Sequence, residues 1–143
     1  MESLHPLIVH FPIALLLSAL ACDILALVLR REALHRVGLW NLALGTLGAG
    51  AAVWTGLQAE EVAKHSFEIF QVMDRHERLG QITLGLAVVT LGWRLWRRDR
   101  FALPARLGVL LLMTLMAASL AYGAHLGGRL VYEFGVGGSF GRR

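Results

Sequence analysis

Four long apolar segments dominate the chain, and short polar stretches separate them. They are Leu7–Leu29, Val37–Leu57, Leu79–Trp96 and Leu103–His125. Each is close to the length of about 20 residues that a helix needs to cross about 30 Å of hydrocarbon. Backbone groups in lipid have no water to bond, so we expect four membrane-spanning helices. The pattern predicts an all-α, integral membrane four-helix bundle, a single domain over residues 1–143 with a short outer tail at 126–143.

The composition agrees with a surface that faces lipid. Hydrophobic residues make up 56% of the chain and charged residues 17%, whereas soluble domains carry about 25% charged residues. The first apolar segment is longer than the core of a signal peptide. Its basic residues, Arg30 and Arg31, follow it instead of preceding it. We therefore expect a retained span and not a cleaved leader.

Basic residues cluster around the first and third loops and predict the orientation. They are Arg30, Arg31, Arg36, Arg94, Arg97, Arg98, Arg100 and Arg106. Cytoplasmic loops are rich in Lys and Arg, so both of these loops are expected in the cytoplasm. Both termini and the second loop then lie on the extracytoplasmic side. This distribution also explains the net charge of +4 without a nucleic-acid partner.

Small residues in the second span recur at intervals of four. Gly48, Ala52 and Gly56 form one series, and Gly45 and Ala49 form another. Such spacing lets helix backbones approach closely. We favour packing within one chain, with a homodimer interface as the alternative.

Histidines are concentrated at the predicted outer side. His5 and His10 lie at the mouth of the first span, His76 precedes the third, and His125 ends the fourth. Helices in a small bundle lie about 8–10 Å apart, so these four imidazoles are expected to converge on one site. His65 in the second loop and His35 on the cytoplasmic side are left out of that site.

Convergent imidazoles predict a metal or haem centre. Neutral imidazole is the commonest metal ligand, and a b-type haem needs axial ligands in an apolar slot. A porphyrin edge would find room beside four glycines, which are Gly80, Gly123, Gly127 and Gly128. Bare Cu or Zn would need three or four ligands, with Asp74 or Glu77 as additional candidates. Cys22 is the only cysteine, which excludes a Cys-x-x-Cys-His haem attachment and a thiolate zinc cage.

Asp23 is an acidic residue inside the first span. A carboxylate there is costly and needs a partner. We expect a buried hydrogen bond to Asn41 or Thr46 and favour this over a role in a proton relay.

Three motifs carry a family resemblance across the whole chain. HPLIVHFPIALL at the start, DRHERLG before the third span and AHLGGRLVYEFGVGG at the end resemble the bacterial membrane-protein family catalogued as domain of unknown function 2231. The resemblance implies a four-helix protein of the bacterial inner membrane. The family's neighbours and fusions often look respiratory, which implies haem or metal chemistry. The histidines that match its motifs are His5, His10, His76 and His125.

The resulting hypothesis is a membrane-bound b-type haem protein with histidine-ligated haem in the outer half of the bundle. Bis-histidine ligation leaves no open coordination position, so an electron carrier is expected more than a catalyst. The expected partners are the lipid bilayer and a membrane quinol or an extracytoplasmic redox protein. The alternatives are a Cu- or Zn-binding protein that uses the same histidines, and a cofactor-free structural subunit of a larger membrane complex.

Overall fold

The computed structural model describes residues 5–60, 66–97 and 102–136, and these are all-helical apart from turns. A short helix, α1, covers His5–Ile8. Four long helices follow it: α2 (His10–Leu29), α3 (Glu32–Glu60), α4 (Phe67–Trp96) and α5 (Leu103–Tyr132). The predicted all-α class is therefore confirmed.

Three of the long helices are long and apolar enough to cross a membrane. These spans are His10–Leu29, Glu32–Gln58 and Leu103–Tyr132. α4 is equally long, at 30 residues, but polar residues such as Gln81 and Arg94 lower its mean hydropathy. Its crossing over 79–96 stays a prediction.

Several helices continue past the predicted spans into polar sequence. α4 starts at Phe67, where the Ser66 hydroxyl accepts a hydrogen bond from the Ile69 amide at 3.5 Å, as an N-cap residue does. α5 continues to Tyr132, so the irregular tail expected from residue 126 starts later. Residues 137–143 lie outside the described part. A helix of 30 residues is about 45 Å long, so α4 and α5 exceed the thickness of the hydrocarbon.

The connections place the helices side by side. α2 ends at Arg30, whose backbone is left-handed (φ 54°), and α3 starts two residues later. This tight turn makes α2 and α3 an antiparallel pair. Pro104 lies in the first turn of α5, where its missing N–H costs nothing.

The helices form a closed bundle. α2 packs against α3 and α5, and α4 packs against α3 and α5. The core includes Leu16, Leu42 and Met113. Between α4 and α5, the Thr83 hydroxyl donates to the Ser119 hydroxyl at 3.0 Å, which in turn contacts the Leu79 carbonyl at 3.2 Å.

The small residues of α3 pack against α2 of the same chain. A Cβ at Gly45 would lie 2.7 Å from Leu16 Cδ2, and one at Gly48 would lie 3.2 Å from Phe11 Cδ1. These glycines allow close packing of α2 on α3. The predicted packing within one chain accounts for them, and the homodimer stays untested.

Large apolar side chains cover the outside of the bundle. Leu47 is 73% exposed, Val89 58% and Leu111 61%. A monomeric soluble protein rarely exposes so continuous an apolar surface. This surface is the one expected of helices in lipid.

Candidate functional site

Two of the predicted site histidines come together at the end of the bundle where the N-terminus lies. His5 belongs to α1, which packs against α3, and His76 belongs to α4. Their ring centroids are 6.1 Å apart and their planes are nearly perpendicular, at 87°. This imidazole pair consists of His5 and His76, and both rings are partly buried.

A backbone carbonyl fixes the His76 ring. Nδ1 of His76 lies 2.8 Å from the carbonyl oxygen of Gly123 on α5. A carbonyl only accepts, so Nδ1 carries a proton, and in the neutral ring Nε2 keeps its lone pair. Metal-binding histidines characteristically donate their second ring nitrogen to such an acceptor.

A similar contact orients His5. Its Nδ1 lies 3.2 Å from the Thr55 hydroxyl oxygen, and that hydroxyl donates to the carbonyls of Ala51 and Ala52. Burial lowers the pKa of His5, and the nearby His76 lowers it further, while a hydrogen bond to the Ala52 carbonyl raises it. The net shift is downward, which favours a neutral imidazole.

Two glycines leave the space that the rings occupy. A Cβ at Gly56 would lie 3.1 Å from Cε1 of His5, and one at Gly127 would lie 2.9 Å from Cε1 of His76. The predicted role of Gly127 beside a porphyrin edge is therefore replaced by a contact with the imidazole itself. A Cβ at Gly80 or Gly123 would meet Val53 or Leu79 instead.

The other predicted ligands do not join this pair. His10 is exposed in the first turn of α2, and His125 is exposed and stacks on Tyr122 with ring centroids 6.4 Å apart. His65 lies outside the described residues. Asp74 accepts a hydrogen bond from Arg78. Ligation by His10 and His125 stays a prediction.

Haem or metal binding by the imidazole pair stays a prediction. Within residues 5–60, 66–97 and 102–136, no group of three or more His, Cys, Asp or Glu is arranged to hold a metal ion. Two imidazoles on one metal at about 2.0 Å have centroids about 6 Å apart, and His5 and His76 are 6.1 Å apart.

A cleft of about 190 Å³ lies between α4 and α5. Its lining residues are Glu68, Gln71, Val72, Arg75, Tyr122, Leu126 and Arg129. Arg75 directly precedes His76, and Tyr122 directly precedes Gly123, whose carbonyl holds that ring. The cleft therefore lies between the two helices, α4 and α5, that carry His76 and the carbonyl bonded to its ring.

A second polar cluster lies at the opposite end of the bundle and is almost completely buried. Asp23, His35 and Arg94 are 4%, 6% and 0% exposed. One carboxylate oxygen of Asp23 lies 2.6 Å from Nδ1 of His35, and the other accepts from Arg94 at 2.6 Å. Arg94 also donates to the His35 carbonyl at 2.9 Å. We call these three residues the buried triad.

The buried triad corrects the prediction for Asp23. Neither expected partner bonds to it: Asn41 donates to the Ser18 hydroxyl, and Thr46 donates to the Leu42 carbonyl. Arg94 was grouped with the loop charges because Arg97, Arg98 and Arg100 follow it closely. The sequence did contain a signal for this contact, namely an acidic residue inside one span and a basic residue inside another. Each needs a partner in lipid, so the two could have been expected to pair.

Comparison with known proteins agrees with the helical, apolar structure. The chain matches the family described as "Predicted membrane protein (DUF2231)" over residues 1–139. No curated protein and no solved structure matches the chain. Since the match covers nearly the whole sequence, the chain belongs to the DUF2231 family of predicted membrane proteins.

Proposed function

We propose that this membrane protein is a b-type haem protein in which His5 and His76 would hold the haem iron. The observation that carries the proposal is their separation of 6.1 Å between ring centroids, with Nδ1 of each ring held by a neighbouring group. A bound haem would supply one-electron redox chemistry. With both imidazoles committed to holding it, electron transfer would be favoured over catalysis.

The protein's own residues prepare the two ligands. Thr55 and the Gly123 carbonyl fix the rotation of the rings, which is the usual contribution of groups behind a metal ligand. Burial favours neutral His5, and only a neutral imidazole has a lone pair for iron.

The proposal includes an orientation in the bacterial inner membrane, with the imidazole pair on the outer side. Arg30, Arg31 and Arg97 lie at the opposite end, where α2 joins α3 and where α4 ends. The positive-inside rule places that end in the cytoplasm. In a Cys22→Ser background, Glu2→Cys should react with an impermeant maleimide from outside the cell and Arg31→Cys should not. The reverse labelling would contradict this orientation.

A membrane quinol is the proposed electron donor, and the cleft between α4 and α5 is its proposed binding site. The apolar floor of the cleft, Val72 and Leu126, suits a quinone ring, and Gln71, Arg75 and Tyr122 offer hydrogen-bonding groups. Arg75→Gln should slow reduction by quinol several-fold without changing the haem content. Arg78→Gln is the matched control, because Arg78 bonds to Asp74 and does not line the cleft. Equal rates in both variants would remove the cleft from the proposal.

The test of the haem is the absorbance and metal content of the purified protein. We expect a Soret band that shifts on reduction with dithionite, and its loss in His5→Ala and in His76→Ala. Haem retained in His10→Ala and His125→Ala would limit the site to the imidazole pair, whereas its loss would restore the four-histidine hypothesis. Colourless protein with stoichiometric Cu or Zn would favour the metal-binding alternative, and colourless, metal-free protein the structural subunit.

A further inference from the structure

The buried triad contains an ion pair and one additional titratable group, the imidazole of His35. Asp23 and Arg94 already form an ion pair with a 2.6 Å contact, and an arginine stays protonated in proteins. His35 adds an imidazole to the same carboxylate. Imidazole is the side chain that ordinarily changes its charge between about pH 5 and 8.

The geometry allows His35 to accept a second proton in place. The Asp23 carboxylate accepts the hydrogen bond from Nδ1 of His35 at 2.6 Å, so the neutral ring takes a further proton at Nε2. The resulting positive charge lies beside a carboxylate that is already fixed by Arg94. Three long helices bring charged groups to His35 or to the cavity that it lines: Asp23 from α2, Arg94 from α4 and Arg106 from α5. Glu32 of α3 reaches them through its bond to Arg106.

A small cavity lies between the buried triad and Arg106, which forms an ion pair with the exposed Glu32. Its volume is about 10 Å³, and its lining includes Asp23, His35 and Arg106 among apolar residues of α2 and α5. A space of this size holds about one water molecule when polar partners are present. Arg106 in turn donates to the Glu32 carboxylate at 2.6 Å, and Glu32 is 66% exposed.

We propose that Asp23, His35 and Arg94 form a proton-binding site, which exchanges protons through this cavity with the membrane face where α2 joins α3. A water in the cavity carries the proton between the buried pair and the Glu32 side. Arg106 orients the water and keeps its own proton. The site lies far from the imidazole pair, because His35 and Gly56 are separated by about 30 Å along α3. It does not depend on whether His5 and His76 bind haem.

The test is a pH titration of His35 in the full-length protein in lipid vesicles. Solid-state NMR of ¹⁵N-labelled histidine, assigned by difference from His35→Gln, reports the protonation of each ring nitrogen. We expect the His35 signals to change reversibly from neutral to charged as the pH falls from about 8 to about 5, while the backbone signals stay constant. A constant His35 state over this range would overturn the proposal and leave the buried triad a purely structural ion pair.

A pair of variants tests the route through the cavity. Val109 is 2% exposed and lines the cavity, so Val109→Leu fills part of it. Val89→Leu makes the same change on the apolar exterior, where Val89 is 58% exposed. We expect Val109→Leu to slow hydrogen–deuterium exchange at the His35 ring about tenfold, because the water loses its space, and Val89→Leu to leave it unchanged. Equal exchange in both variants would overturn the route, and the titration of the unmodified protein decides the site even if Val109→Leu fails to fold.

Discussion

Gly127 provides the most specific test of how the His76 ring is held. A Cβ at this position would lie 2.9 Å from Cε1 of His76, a distance that forces the ring to move. We expect Gly127→Ala to abolish or broaden the Soret band of the purified protein. Gly128→Ala is the control, since a Cβ there meets nothing within 4 Å. Identical spectra for the two variants would show that His76 does not need this space.

His5 gives the protein a pH dependence with a defined sign. Its pKa in the folded protein lies below the usual value because of burial and the nearby His76. Between the two pKa values the unfolded state binds more protons, so the free energy of unfolding rises with pH. We therefore expect the thermal midpoint to fall as the pH is lowered from about 7 to about 5. This holds for the haem-free protein, in which the His5 imidazole can take up a proton. The fall should be smaller in His5→Gln, and equal slopes would contradict the lowered pKa.

At the scale of residues, the sequence predicted that four histidines converge, and the structure brings two of them, His5 and His76, together. His5 and His76 lie in recognisable motifs, yet so do His10 and His125, which the structure leaves exposed. Which face of a helix points inward depends on its packing. The contacts to Thr55 and the Gly123 carbonyl join distant parts of the chain, so local sequence could not reveal them.

Among the helices, the contact of α2 with α3 depends on the absence of a side chain at Gly45. A Cβ there would lie 2.7 Å from Leu16 Cδ2 and 3.2 Å from the Leu16 backbone nitrogen. Backbone cannot move as a flexible side chain does, so Gly45→Ala should destabilise the protein by about 1–3 kcal/mol. Gly50→Ala in the same helix meets nothing within 4 Å and should not destabilise it. Unfolding in mixed micelles measures both, and an equal effect would contradict close packing at Gly45.

The buried triad ties α2, α3 and α4 together. Arg94→Met leaves the Asp23 carboxylate buried without its guanidinium partner, which should cost about 3–5 kcal/mol. The double variant Asp23→Leu and Arg94→Met should cost less than Arg94→Met alone, because no uncompensated charge is left. Unfolding free energies in mixed micelles test this. Simple additivity would contradict the coupling.

An exposed ion pair supplies the control for the buried triad. Arg78 and Asp74 are 72% and 39% exposed in their side chains, and surface pairs contribute little to stability. Arg78→Met should therefore change the unfolding free energy by less than about 1 kcal/mol. A larger effect would mean that solvent screens this pair less than its exposure implies.

Hydropathy predicted where the helices are better than where they end. Three of the apolar segments fall within α3, α4 and α5, and the first, Leu7–Leu29, begins in α1 and continues through α2, because burial in lipid demands about 20 apolar residues. The ends beyond the hydrocarbon are free to be polar, so α4 starts at Phe67 and α5 continues to Tyr132 without a hydropathy signal. The same reasoning grouped Arg94 with the basic residues around the third loop, although its ion pair with Asp23 allows it to be fully buried.

For the whole molecule, the two polar clusters lie at opposite ends of one bundle. The imidazole pair is at the end of the N-terminus, and the buried triad is near the turn between α2 and α3. The proposed electron-transfer site and the proposed proton-binding site would therefore serve different faces of the membrane. The predicted spans already put Asp23 and the outer histidines at different depths, so the separation of the two clusters could be predicted from the sequence. The members of the buried triad could not, since Asp23 and Arg94 belong to helices that are far apart in the sequence.

The measurement that tests the central claim most directly is the absorbance spectrum of the purified protein before and after reduction. With haem held by His5 and His76, the unmodified protein should be red, with a Soret band that shifts on dithionite addition. His5→Ala and His76→Ala should each lose this band while remaining folded by circular dichroism. A colourless unmodified protein, purified from haem-replete cells, would contradict the account.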